Sequence, residues 1–240
     1  MTGEVVRTCC AEPCALGEVV SVAKNGFHVM IDGEVQFCLV NNSFRPDAPP
    51  IVNDVVEIEK REDKYFVIDI MPRKSFVARY DETRDKLQYF AANVDVVFVV
   101  TSANREFSPE RIRRFMRLID GQPIRGAVVL TKTDVNKKKF DTQGIGHIVV
   151  NALDDNDVKK LFDYWGPGET AMLVGSSGVG KSTIINSLAG LDIKTQEVMG
   201  AHKRNAGRHT TSARTLYYLD CGRKIVDNPG VRVVSVLEND

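Results

Sequence analysis

The sequence has 240 residues, of which 43% are hydrophobic and 27% are charged, the usual balance of a soluble globular protein. Its 32 basic and 32 acidic residues give a net charge of zero, which excludes binding of nucleic acid by bulk charge alone. No apolar run approaches the roughly 20 residues of a membrane helix and nothing resembles a signal peptide, so we expect a cytoplasmic protein with no membrane contact.

The chain begins with three closely spaced cysteines, Cys9, Cys10 and Cys14. A structural zinc site needs four ligands, and no CxxC pair or nearby histidine completes one here. The pattern therefore favours loose N-terminal residues with free thiols over a metal site, and zinc is not predicted.

From Ala15 to about Met71 the apolar residues recur with a period of two, and turn residues separate the stretches. The predicted strands are Gly17–Ala23, Gly26–Ile31, Glu34–Val40, Val55–Lys60 and Tyr65–Ile70. Five short strands in so few residues predict a small closed β-barrel, and the OB-fold is the five-stranded barrel that fits. Barrels of other topology would give much the same pattern.

From about Phe76 onward, short apolar strands alternate with helical segments such as Pro109–Asp120. The predicted strands are Asp95–Val100, Gly126–Leu130, His147–Val150, Ala171–Val174, Thr215–Leu219 and Lys224–Val226. This alternation predicts an α/β fold with a mostly parallel sheet covered on both faces. We expect a linker near Pro72–Tyr80, a barrel domain at 1–75 and an α/β domain at 76–240.

A complete phosphate-binding motif, GxxxxGK[ST], follows the strand Ala171–Val174 and opens a helix at Thr183–Leu188. The residues that would surround the phosphates are Gly175, Ser176, Ser177, Gly178, Val179, Gly180, Lys181, Ser182 and Thr183. Backbone N–H groups would curl around the phosphates at the positive end of a helix dipole. Lys181 would reach the β- and γ-phosphates, and the Ser182 hydroxyl would bind Mg²⁺.

The sequence Asp-Asn-Pro-Gly at 227–230 matches the DxxG switch motif and follows the strand Lys224–Val226. Asp227 would hold the metal through water, and the Gly230 N–H would sense the γ-phosphate. On its own D-x-P-G is also a common turn, so its place at a strand end after a phosphate loop carries the interpretation.

Two loops that follow strands match the segments that read guanine. Thr131, Lys132 and Asp134 fit [N/T]KxD, in which the aspartate accepts hydrogen bonds from guanine N1–H and the exocyclic amine. Asn151 and Ala152 fit the second loop, with the Ala152 N–H facing the guanine O6. Asp134 argues against an ATP-using kinase or transferase, the competing class of P-loop enzyme.

The motif order is unusual, because both base loops precede the phosphate loop and DxxG closes the chain. One P-loop GTPase domain with shifted termini, a circular permutation, explains all four motifs.

With this order the sequence resembles the circularly permuted GTPases of small-ribosomal-subunit biogenesis, the RsgA/YjeQ family. Besides the four motifs, the segments that carry the resemblance are Ile70–Arg73, Ala91–Asp95, Gly207–Thr211 and Val231–Arg232. The Gly-Arg-His-Thr-Thr segment supplies the switch threonine. Its spacing to Arg214 favours Thr211 as a Mg²⁺ ligand, with Thr210 as the alternate.

The resemblance implies an N-terminal OB-fold that touches ribosomal RNA, and slow GTP hydrolysis that the small ribosomal subunit accelerates. The expected cofactors are GTP or GDP and Mg²⁺, and we expect a monomer. Family members usually carry a C-terminal zinc-binding module, but this chain stops at Asp240 without one, as either a short form or a truncated chain.

Hydrolysis needs an oriented water, yet Val231 stands where Ras-like enzymes carry glutamine, so we expect a slow enzyme. His209 is the candidate catalytic replacement alongside Lys181, because a neutral imidazole can hydrogen-bond the attacking water. The alternative is an exposed or ribosome-contacting histidine. The missing glutamine and the missing zinc-binding module also leave open an RNA-binding module that guanine nucleotide regulates with little or no turnover.

Basic residues form clusters that are ordinarily solvated faces, and RNA contact is the functional alternative. They are Arg111, Arg113, Arg114 and Arg117; Lys137–Lys139; and Lys203, Arg204 and Arg208. In the barrel, basic and aromatic residues could together form a stacking surface for RNA. The candidates are Lys24, Arg73, Lys74 and Arg79 with Phe27, Phe37 and Phe44.

Overall fold

The computed structural model describes residues 15–40, 44, 46, 48–81, 85–103, 107–133, 146–190 and 214–228. The strands are β1 (Ala15–Ala23), β2 (Gly26–Ile31), β3 (Glu34–Val40), β4 (Val55–Arg61), β5 (Lys64–Ile70), β6 (Phe76–Asp81), β7 (Lys86–Ala92), β8 (Val96–Ser102), β9 (Arg125–Thr131), β10 (His147–Val149), β11 (Thr170–Val174), β12 (Thr215–Tyr218) and β13 (Lys224–Asp227). The helices are α1 (Pro109–Met116), α2 (Asp155–Val158) and α3 (Lys181–Gly190), and 3₁₀ turns at Arg117–Ile119 and Lys159–Asp163 follow the first two.

Strands β1 to β5 form a closed barrel in the order β1-β2-β3-β5-β4, and β4 pairs back onto β1. The bounds of these strands differ from the predicted ones by at most two residues. Inward-facing side chains fill the barrel: Val19, Phe27, Val29, Ile31, Cys38, Val56, Ile58 and Val67. Of the candidate stacking aromatics, Phe27 is therefore in the core at 6% exposure, whereas Phe37 is 45% exposed.

Six further strands extend one mixed sheet in the order β10-β9-β8-β11-β13-β12. Neighbours pair in parallel except β12, which is antiparallel to β13. Every residue of β8 and β11 is buried, which explains the continuous apolar runs Val96–Val100 and Ala171–Val174 within them. Helix α1 packs on one face through Ile112 and Phe115, and α3 packs on the other through Ile184 and Leu188.

Strand β6, which forms a hairpin with β7, occupies part of the region for which the sequence predicts a linker, so that prediction is wrong over Phe76–Tyr80. Val77 and Phe90 insert into the same cluster as α1. The Ser75 hydroxyl donates to the Val94 carbonyl at 2.6 Å and fixes the base of the hairpin. In β6 only Val77 is buried, and in β7 the buried residues are consecutive, so neither strand shows a simple alternation. The division between domains at residues 75 and 76 stays a prediction.

The barrel and the α/β sheet are joined by backbone and side-chain contacts. Ser21 of β1 pairs with Thr215 of β12. Glu18 accepts a hydrogen bond from the Tyr218 hydroxyl at 2.5 Å and forms an ion pair with Lys224. Buried Asn53 donates to the Thr170 hydroxyl of β11 at 3.2 Å, which adds a second junction beyond the strand pairing.

Among the described residues, no helix is long and apolar enough to cross a membrane. In the same residues there is no group of three or more His, Cys, Asp or Glu side chains that could hold a metal ion. Cys38 and Cys221 are free thiols. Cys9, Cys10 and Cys14 lie outside the described residues.

Candidate functional site

The phosphate loop leaves the buried strand β11 through a sharp turn at Gly175, whose φ is +147°. A Cβ atom at this position would lie 2.2 Å from the Val100 carbonyl oxygen, so no other residue fits without moving the backbone. The loop then runs to the first turn of α3, where the N-terminal N–H groups of the helix favour an anion. The local sequence thus produces a cradle for phosphate at the carboxyl edge of the sheet.

Lys181 lies inside this loop and is only 9% exposed. Its ammonium donates to the carbonyl oxygens of Gly175 at 2.8 Å and Ser176 at 2.6 Å. Burial lowers the pKa of Lys181, and the negative charge of Asp227 raises it in return. The Lys181 ammonium is largely shielded from water and is held by neutral carbonyl oxygens. It can therefore exchange these carbonyl oxygens for the negatively charged oxygens of a phosphate.

Asp227 ends β13, which is the parallel neighbour of β11, so both motifs open at the same edge. Burial raises the pKa of Asp227, and the charge of Lys181 lowers it in return. Ser182 is exposed at the start of α3. The hydroxyl and carboxylate oxygens of Ser182 and Asp227 are the hard donors that Mg²⁺ prefers. Thr211, the third predicted ligand, lies outside the described residues.

The first predicted base loop is held against the phosphate loop. The buried Thr131 hydroxyl donates to the Val179 carbonyl at 2.6 Å, and it lies 3.1 Å from the Thr101 carbonyl oxygen. Lys132 adopts a left-handed φ of +58° and donates to the Gly178 carbonyl at 2.8 Å. A non-glycine residue in that conformation is rare and is concentrated at functional sites. Asp134, the predicted guanine-reading residue, lies outside the described residues.

The second predicted base loop also reaches the phosphate loop, because a Cβ on Gly180 would lie 3.6 Å from the Ala152 Cβ. Asn151 shapes this turn by accepting from the Leu153 N–H at 3.1 Å through its side chain. The Asn151 N–H donates to Asp157 at 2.5 Å, and this hydrogen bond is the main cause of the lowered pKa of Asp157. Leu153 is 85% exposed beside the loop.

The structure therefore brings most of the predicted site residues that it describes to one edge of the sheet. Gly230 and His209 lie outside the described residues, so their roles stay predictions. Two arginines contact this region that the sequence motifs did not place at the site. Arg214 donates to the Asn228 side chain at 3.0 Å and lies over the Phe90 ring at 4.8 Å. Arg111 donates to the Ser176 hydroxyl at 3.2 Å.

Comparison with known proteins supports the same reading of fold and motifs. The sequence model of the RsgA GTPase family matches residues 70–237. A small ribosomal subunit biogenesis GTPase RsgA of Methanosarcina acetivorans is 31% identical over 235 residues, which cover 92% of this chain and 63% of the relative. The corresponding protein of Xanthomonas campestris pv. campestris (strain B100) is 37% identical over 177 residues, which cover 69% of this chain and 48% of the relative. The chain thus spans about half to two thirds of the length of these curated relatives.

Two solved structures share the fold. YjeQ from Thermotoga maritima superposes with a TM-score of 0.64 at 23% identity, covering 91% of this chain and 75% of that one. YloQ, described as a circularly permuted GTPase, superposes with a TM-score of 0.62 at 19% identity, covering 96% of this chain and 76% of that one. The predicted fold class, a small β-barrel followed by a circularly permuted α/β P-loop domain, is confirmed.

Proposed function

Because the chain belongs to the RsgA GTPase family, we propose that it binds guanine nucleotide and hydrolyses GTP to GDP and phosphate. One observation carries the proposal: Lys132 after β9, Lys181 in the loop after β11 and Asp227 at the end of β13 lie around a single phosphate cradle. Thr131 and Lys132 contact the cradle from the base side, while Lys181 lies inside it. Family membership predicts that these residues converge. If the motifs were ordinary, unrelated turns, there would be no reason for them to lie together.

In this mechanism the phosphate loop binds and orients the triphosphate. Its backbone N–H groups and the α3 N-terminus contact the phosphates, and Lys181 moves from loop carbonyls to phosphate oxygens. Ser182, Asp227 and Thr211 are the proposed ligands of Mg²⁺, which neutralises charge on the phosphates when it is bound. Gly230 donates its N–H to the γ-phosphate.

Guanine selectivity is proposed to come from Asp134, which accepts from two donors that adenine lacks, and from the Ala152 N–H, which donates to O6. Thr131 supports the first of these loops by anchoring it on the Val179 carbonyl. In this chain threonine thus supplies a tether where asparagine is the commoner residue.

We propose that His209 orients the attacking water, since Val231 cannot. An unassisted rate near the roughly 10⁻⁴ s⁻¹ scale of Ras is the expectation. Such a slow enzyme works as a timer that a partner accelerates.

The proposed partner is the small ribosomal subunit with its ribosomal RNA, and the names of the relatives, small ribosomal subunit biogenesis GTPases, support this choice. The barrel carries cations over aromatic rings, with Lys60 at 5.6 Å from the Tyr65 ring centre and Arg61 at 5.4 Å from that of Phe66. We assign RNA contact to the barrel, and we propose a cytoplasmic monomer.

The deciding experiment measures GTP turnover by the purified chain with and without small ribosomal subunits, using Lys181→Ala as the inactive control. Stimulation by the subunits supports the proposal. Tight guanine-nucleotide binding without stimulated turnover would favour the alternative, an RNA-binding module that the nucleotide regulates.

A further inference from the structure

Arg111 contacts the phosphate loop from a helix on the opposite face of the sheet to α3. It lies in the first turn of α1, where its N–H donates to the capping Ser108 hydroxyl at 3.3 Å. From there its half-buried side chain reaches over the carboxyl edge of the sheet, and Nη1 donates to the Ser176 hydroxyl at 3.2 Å. The phosphate loop is therefore contacted from both faces of the sheet.

A cation at this point of a helix runs against helix electrostatics. The N-terminus is the positive end of the helix dipole, so acidic residues are favoured there. Glu110 follows that rule, and hydrogen bonds from its own backbone and from Ser108 lower its pKa. Arg111 departs from the rule in the next position, and such departures are common at functional or strained sites.

The contacts along the loop show which end of a nucleotide Arg111 approaches. Lys132 and Thr131 bind the carbonyls of Gly178 and Val179, so that end of the loop faces the base. Lys181 binds the carbonyls of Gly175 and Ser176, which marks the other end. Arg111 contacts Ser176, so it lies at the end where the terminal phosphate belongs.

Two cations thus converge on one residue, since Ser176 accepts from Lys181 through its carbonyl and from Arg111 through its hydroxyl. Such a concentration of positive charge suits the most negative part of a nucleotide, which is the terminal phosphate. The guanidinium also presents a planar fork that matches two phosphate oxygens.

We propose that Arg111 exchanges Ser176 for the γ-phosphate oxygens of GTP and acts as a catalytic arginine in cis; this inference rests on the proposed function. In hydrolysis the water oxygen bonds to the γ-phosphorus and the bond from that phosphorus to the β–γ bridging oxygen breaks. The bridging oxygen keeps the electron pair as GDP leaves, and the proton of the water passes to the released phosphate. Arg111 stabilises the charge on the γ-phosphate oxygens throughout, as cis-acting arginines do in other GTPases.

The test compares the affinities of the full chain for GDP and for a GTP analogue with nitrogen at the β–γ bridge. Arg111→Ala is expected to weaken binding of the analogue about 10- to 100-fold, the loss typical of a charge-assisted hydrogen bond, and to change GDP binding less than about twofold. Arg111→Lys keeps the charge without the fork and is expected to show an intermediate loss. Arg113→Ala, an exposed arginine of the same helix, is the matched control and is expected to leave both affinities within about twofold.

An equal loss for both nucleotides in Arg111→Ala would overturn the inference, because it would show that Arg111 only maintains the shape of the loop. An equally selective loss in Arg113→Ala would also overturn it, since general charge rather than contact would then be the cause. A wild-type chain that bound neither nucleotide would overturn the proposed function and this inference together. Wild-type binding with no selective loss in Arg111→Ala would overturn the inference alone.

Discussion

Replacing Gly175 by alanine is expected to destabilise the nucleotide-free protein more than the same change at Gly178, three positions along the same loop. At Gly175 the added Cβ would lie 2.2 Å from the Val100 carbonyl oxygen and would impose a φ of +147° on an L-residue. At Gly178 the φ is +79° and nothing lies within 4 Å of the added atom. The two variants therefore share backbone strain and differ in the steric clash.

The magnitudes follow from these two terms. Strain at a positive φ costs about 1–3 kcal/mol and overpacking against backbone costs about 1–3 kcal/mol more. Alanine has fewer backbone conformations than glycine in the unfolded chain, and this stabilises the folded state of either variant by about 0.4–1 kcal/mol. The net free energy of unfolding should fall by about 3 kcal/mol for Gly175→Ala and by about 1 kcal/mol for Gly178→Ala.

For a chain of this size each kcal/mol lowers the thermal midpoint by about 2–4 °C. The midpoint should therefore fall by about 6–12 °C in Gly175→Ala and by less than about 4 °C in Gly178→Ala. Thermal unfolding followed by circular dichroism, without nucleotide, measures both. Equal midpoints in the two variants would refute the argument that Val100 excludes a side chain from the start of the loop.

Asp134→Asn is expected to move nucleotide preference from guanosine toward xanthosine nucleotides in a competition assay, and an unchanged preference would contradict guanine reading by Asp134. Asp54 is fully buried and binds Arg73 at 2.7 Å. Asp54→Asn should therefore lower the free energy of unfolding by about 3–5 kcal/mol in urea. The comparison change Glu59→Gln, in the pair with Arg61 whose side chain is 51% exposed, should cost less, about 1 kcal/mol. Burial raises the pKa of Cys38 to about 12, above the 9.0 of an ordinary thiol. The folded protein therefore keeps the Cys38 proton more tightly than the unfolded chain does. The stability that Cys38 contributes is complete below pH 9 and is lost as the pH rises from 9 to 12. Over that range wild-type stability should fall more steeply than that of Cys38→Ala, by about 1.4 kcal/mol per pH unit, and parallel curves would show that Cys38 is not protected by burial.

The strands were predictable where burial leaves a simple periodicity. In the barrel, alternation places residues such as Val29 and Ile58 inside, and in β8 and β11 complete burial gives continuous apolar runs. The hairpin of β6 and β7 could not be predicted in this way. Its burial depends on a cluster that also contains Val20 and Val52 of the barrel region and Ile112 of α1, so its own sequence carries little of the signal.

In the candidate site, too, features set by neighbouring residues could be predicted from the sequence, whereas contacts between distant residues could not. A phosphate loop is a local device, so its glycines and Lys181 can be read from eight consecutive residues. Arg111 is different, because its contact with Ser176 joins positions 65 residues apart. Only the crossover from β8 through α1 to β9 brings them together, and an arginine in a basic helix is otherwise an ordinary surface residue.

The pairing of β1 with β12 joins the barrel to the α/β sheet, and it limits what can be learned from either part in isolation. A barrel cut away from the rest of the chain would expose the β1 edge at Ser21 and would leave Glu18 without Tyr218 and Lys224. The unpaired backbone groups along that strand edge would favour self-association of the fragment. RNA affinities measured on an excised barrel would then mix recognition with aggregation, and the intact chain is the proper object for those measurements.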